Sequence, residues 1–115
     1  MGDTSTATGN RSVAFGIDSK AGNTSTVAIG DKANATGVAS VAMGLSTKAN
    51  GTSSIAIGSS AESKQQNGVA IGNAALTDGH QTTAVGALAK ASGTEASAFG
   101  FGANASQASA VALGY

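Results

Sequence analysis

The phrase Ser-Val-Ala-Phe-Gly at residues 12–16 returns down the chain as STVAIG, SVAMG, SIAIG and GVAIG. The glycine that closes it recurs at Gly16, Gly30, Gly44, Gly58, Gly72, Gly86, Gly100 and Gly114. Each step is 14 residues, and the eight copies run without an insertion or deletion. A fixed period of this kind belongs to architectures in which one small unit stacks on the next. The repeat is the fold.

Aligned copies assign their own columns. The first is Val13, Val27, Val41, Ile55, Val69, Thr83, Ser97 and Val111, and the third is Phe15, Ile29, Met43, Ile57, Ile71, Val85, Phe99 and Leu113. Between them stands alanine every time: Ala14, Ala28, Ala42, Ala56, Ala70, Ala84, Ala98 and Ala112. Short β-branched runs closed by glycine predict a strand, with the large columns on one face and the alanines on the other. A second, quieter strand has small residues such as Ser19/Ala21 and Ala33/Ala35 on one face, and Lys20, Asn34, Lys48 and Glu62 on the other. Small-in, polar-out alternation describes a strand with one wet face. A second turn follows at Asn23, Gly37, Gly51, Gln65, Gly79, Gly93 and Gln107, where glycine predicts positive φ and Gln65 and Gln107 are the poorest fits.

The pattern predicts an all-β, two-sheeted parallel β-roll, one 14-residue coil per repeat, about 35–40 Å tall. Large side chains of the first strand are expected to fill its interior. The alanine stripe is then left outside, as an apolar surface awaiting a partner. Residues 1–8 read as a start and lead-in, and 9–115 as the repeat domain.

Composition narrows the function. The 115 residues include 17 glycines, no proline, cysteine or tryptophan, and six basic against six acidic residues. Zero net charge gives no attraction to a nucleic-acid backbone or an anionic membrane. No apolar run reaches the length of a spanning helix, and Met1-Gly2 leads into polar sequence without signal-peptide regions.

No motif carries catalysis. His80, the single histidine, sits in TDGHQ beside a turn glycine with only Asp78 nearby, too few groups for a metal or general-base site. The many serines have no histidine-centred partner. Gly100-Phe101-Gly102 lacks the lysine and helix onset of a phosphate loop. No cofactor and no metal site is expected. Sequons at Asn10, Asn23, Asn34, Asn50 and Asn104 follow from turns rich in Asn, Ser and Thr. Leu76 and Leu88 break the polar outer face on neighbouring coils and form a candidate ligand patch.

The phrase S-V-A-I-G on a 14-residue period resembles the head repeats of the YadA-like trimeric autotransporter adhesins, over about residues 9–115. The resemblance implies a left-handed roll, a homotrimer, and a stalk and outer-membrane barrel anchor lying outside this sequence. It further implies display on a Gram-negative surface and attachment to extracellular matrix proteins, host cell-surface receptors or other bacteria. In that trimer the column Ala14 to Ala112 is expected to face the axis. Collagen-binding members resemble N-S-V-A-I-G-x-x-S; here only Asn67 takes the Asn position and only Ser19 the final Ser, in different copies. The alternative to a binding head is a structural spacer within a long adhesin fibre.

Overall fold

A computed structural model describes residues 3–114; Met1, Gly2 and Tyr115 lie outside the described residues. Three-residue strands β2 (Val13–Phe15), β4 (Val27–Ile29), β6 (Val41–Met43), β8 (Ile55–Ile57), β10 (Val69–Ile71), β12 (Thr83–Val85), β14 (Ser97–Phe99) and β16 (Val111–Leu113) form one sheet. Two-residue strands β1 (Thr6–Ala7), β3 (Lys20–Ala21), β5 (Asn34–Ala35), β7 (Lys48–Ala49), β9 (Glu62–Ser63), β11 (Leu76–Thr77), β13 (Lys90–Ala91) and β15 (Asn104–Ala105) form the other. Every pairing is parallel and displaced by one repeat, as in Val41↔Ile55, Ala42↔Ala56 and Met43↔Ile57. Within the expected lead-in, Thr6 and Ala7 already pair in register with Lys20 and Ala21. The rod measures 39 × 21 × 12 Å, matching the expected height.

The faces of the longer strands are the reverse of the expectation. Ala28, Ala42, Ala56, Ala70, Ala84 and Ala98 are 0% exposed and Ala14 7%, all covered by their own chain. Ala112, in the last coil, is half-buried against the same cluster. None of these alanines is free to face a trimer axis. The large columns point outward instead, with Val13, Phe15 and Phe99 exposed and Thr83 and Ser97 half-buried. The cause is width. Strands of three and two residues joined by tight turns leave a roll only 12 Å through its Cα atoms, too thin for side chains such as Ile, Met and Phe, and nothing larger than Thr is fully buried.

The interior therefore consists of four small-residue columns, seen in one coil as Thr26, Ala28, Ala33 and Ala35, all 0% exposed. Hydroxyls in these columns bond to the turn before them. Thr26 Oγ1 donates to the Asn23 carbonyl at 2.8 Å, Thr82 Oγ1 to Gly79 at 2.9 Å, and Ser19 Oγ to Gly16 at 2.9 Å. Ser40 Oγ and Ser54 Oγ are buried without any partner.

The two glycine columns have different causes. Gly30 adopts φ +128°, and a Cβ there would lie 2.5 Å from the Gly44 carbonyl oxygen. Gly37 lacks a left-handed φ, contrary to expectation, but its Cβ would stand 2.0 Å from the Gly51 oxygen. Close stacking of turns selects glycine there, so Gln65 and Gln107 need no unusual φ. The left-handed residues lie elsewhere, at Ala39, Ser53 and Glu95 in one turn and at Lys32, Ala74 and Leu88 in the other. Each such residue aims its N–H at the coil before: Lys32 to the Ile17 carbonyl (2.8 Å), Ala39 to Thr24 (2.9 Å), Leu88 to Asn73 (2.9 Å). The hydrogen bond to the preceding coil, repeated turn by turn, offsets the local cost of the conformation.

Candidate functional site

With only small residues inside, all of the chain's bulk lies outside, and the two outer faces differ. The outward columns of the three-residue strands contain no charged residue in any copy. They are flanked, just past the closing glycine, by Ile17, Leu45 and Phe101, each more than half exposed. Together these residues make a largely apolar face along the eight-stranded sheet, interrupted in the flanking column by Asp31, Ser59 and Asn73. Contiguous apolar surface on that scale marks an interaction site. Sequence reasoning found an apolar stripe but placed it on the alanines.

The opposite face is polar. Lys20, Lys48 and Lys90 project from it, and Lys64 Nζ lies 4.0 Å from the Asp78 carboxylate. Exposed pairs at that distance contribute little to stability. An open depression of about 480 Å³ is lined by Lys32, Asn34, Ser46, Lys48, Ser60 and Glu62. Basic, acidic and neutral groups alternate around it, so it presents no field of one sign.

Leu76 and Leu88 both belong to this polar face. Leu76 stands in β11 between buried Ala75 and Thr77 and pairs in register with Glu62 and Lys90. Leu88, half exposed at φ 62°, precedes buried Ala89 in the turn into β13, so it projects outward as Lys90 does. His80 is exposed at a turn. Among the described residues no three His, Cys, Asp or Glu side chains converge on a common point.

The fold thus defines a class: a parallel β-solenoid of 14-residue coils with one polar outer side and one largely apolar outer side. The family model of the YadA head domain repeat matches residues 1–19, 7–33, 21–47, 35–61, 63–89 and 91–115. The chain belongs to this family, the YadA-like heads of trimeric autotransporter adhesins. No curated protein sequence matches it.

Proposed function

We propose that this chain is the head of a trimeric surface adhesin, and that three copies meet through the apolar face of the three-residue strands. The uncharged outward columns of the eight-stranded sheet carry this reading. Eight strands of three residues give this face a length of about 34 Å and a width of about 10 Å, a narrow strip suited to lining a seam between copies. A closed ring of three satisfies a face that contacts neighbours on both flanks. Polar sheets then point away from the axis and present the same shallow surface three times, including the Leu76 and Leu88 patch. Weak contacts repeated along the rod combine into avidity toward a partner that is itself repetitive, such as an extracellular matrix protein or a cell-surface receptor. The role is attachment, not catalysis. The head is displayed at the bacterial surface, held to the outer membrane by an anchor outside this sequence.

The experiment pairs sedimentation with a binding screen. Wild-type protein at micromolar concentration sediments as a trimer, and Ile57→Lys, which places charge on the apolar face, as a monomer. Immobilised matrix proteins and host cells capture the trimer, and Leu76→Lys with Leu88→Lys lowers capture without changing sedimentation. A monomeric wild type overturns the assembly. A trimer that no matrix protein or cell surface retains overturns the adhesive role.

A further inference from the structure

Eight near-identical coils raise a problem for any assembly through their shared face. Two rods that slide past one another by one coil, about 4.8 Å, still set Val and Ile against Val and Ile. They lose only the contacts of the end coil. A purely apolar repeat would specify contact but leave alignment weakly specified, as happens in strands whose neighbours all look alike.

The face is not purely apolar. In its first column Val13, Val27, Val41, Ile55 and Val69 give way to Thr83 and Ser97, before Val111 resumes. Thr83 and Ser97 are direct register partners on adjacent strands β12 and β14. Both are half-buried on the outward side, since Ala84 and Ala98 beside them are fully inside. Neither hydroxyl takes part in a hydrogen bond within its own chain, whereas Ser12, Ser19, Thr26 and Thr82 each donate to a turn carbonyl. They form one two-hydroxyl band in an otherwise apolar column, off-centre along the rod.

We infer that Thr83 and Ser97 set the axial register of the assembled copies, by meeting the same two hydroxyls of neighbouring chains only when all copies are level. This rests on the proposed side-by-side assembly. With this column lining the axis and the copies level, each Thr83 meets Thr83 and each Ser97 meets Ser97. After a slip of one coil, Thr83 of one copy still meets Ser97 of the next, but the remaining Ser97 faces Val111 and the remaining Thr83 faces Val69. After a slip of two coils, no hydroxyl meets another. Offsets around a closed ring must sum to zero, so one displaced copy creates two faulty interfaces. Burying an unpaired hydroxyl is penalised about as much as losing one apolar side chain's contact, and each slipped interface leaves two such hydroxyls in addition to the lost end coil. A single polar residue in an apolar seam fixes register in coiled coils by the same physics. The band's off-centre position also means that an antiparallel pairing would set it against Val27 and Val41, so it selects parallel alignment as well.

The test measures distances between spin labels on different copies. The chain has no cysteine, so Asn10→Cys and Thr94→Cys each give one labelling site; both residues are exposed, in the same column, six coils apart. Trimers mixed from the two labelled chains report axial offset directly. Wild type is expected to give one narrow distance between a label at 10 and a label at 94. The Thr83→Val/Ser97→Val variant is expected to remain trimeric and to add a shorter and a longer distance in about a tenth of the pairs or more. Moving the band, with Val41→Thr and Ile55→Ser added to that variant, restores the single distance. Should the double valine variant fail to fold, Thr83→Val and Ser97→Val singly carry the same comparison. A valine variant that keeps the single wild-type distance, a moved band that does not restore it, or a wild type already showing three distances overturns the inference. A wild type that gives no inter-chain distance overturns the assembly itself.

Discussion

Gly68 is where the tightness of the roll can be put to the sharpest test. It occupies an inward column that carries Ser40, Ser54, Thr82 and Ala96 in other coils. Its φ is not left-handed, so the backbone would accept alanine. On chain entropy alone, Gly68→Ala should stabilise by about 0.4–1 kcal/mol. The opposite wall forbids it. A Cβ at Gly68 would stand 2.4 Å from Ser63 Oγ and 2.7 Å from Thr77 Oγ1, and those two hydroxyls bond to each other at 2.9 Å. Making room breaks that bond and leaves at least one buried hydroxyl unpaired, a cost of roughly 1–3 kcal/mol. A net destabilisation of about 1–2 kcal/mol is expected. In a Ser63→Ala/Thr77→Ala background the wall recedes to the state seen around Ala96, which lies between Ala91 and Ala105 of the same columns. There Gly68→Ala should be neutral or stabilising. The difference is a coupling energy of about 1–3 kcal/mol, read from urea unfolding of the four variants in a double-mutant cycle. Stacked repeats can open locally, so amide exchange of the coils around residue 68 should show the same ranking. Equal cost of Gly68→Ala in both backgrounds would refute the steric account.

Three further outcomes follow from the interior and the turns. Ser54→Ala, which removes a buried hydroxyl with no partner, should raise stability by about 1 kcal/mol in chemical denaturation, whereas Thr26→Ala, which removes a bonded one, should not. Leu88→Asn, at φ 62°, should stabilise by up to about 1 kcal/mol in thermal unfolding, because asparagine tolerates the left-handed region that leucine does not. Ala56→Val, inside the roll, should cost at least about 1–3 kcal/mol through overpacking, while the outward neighbour Ile57→Val should change monomer stability much less; equal effects would return the alanines to the surface.

The period, the two strands of each coil, both turns and the wet face of the shorter strands were legible from spacing alone. The faces of the longer strands were not, because both are apolar and bulk, which ordinarily marks the interior, here marks the outside. A better signal lay in the same columns. The middle position is alanine in all eight copies, while its neighbours range from Ser to Ile and from Val to Phe. A position that tolerates no change of volume is sterically enclosed, and positions that vary by several methylenes have room around them. Read that way, the alanines belong inside. The left-handed residues carried no such signal. Lys32, Ala39, Leu88 and Glu95 share no chemistry, since their conformation is imposed by the hydrogen bond to the preceding coil. Turn glycine pointed to the wrong residue because close approach selects glycine as strongly as φ does.

An interior of methyl and hydroxymethyl groups has an energetic consequence. Ordering each residue costs about 1–2 kcal/mol of backbone entropy, and a buried alanine methyl returns less than 1 kcal/mol. Further apolar area able to offset that cost sits on the outer face, where Val13 and Phe15 are about half exposed and Met43, Ile71 and Phe99 more than a third exposed in a lone chain. The backbone ladders hold the coils in shape, but a single roll 12 Å thick is poorly equipped to be stable by itself. On the proposed assembly, folding and association are therefore one process. The melting temperature should then rise with protein concentration, since a third-order assembly stabilises its folded form by mass action. Ile57→Lys should lower melting far more than its outward, half-buried position in a lone chain implies, and remove the dependence on concentration together with the trimer. Calorimetry over a hundredfold concentration range reads both effects. A wild-type melting temperature that does not move across that range would show that the thin roll stands on its own ladders.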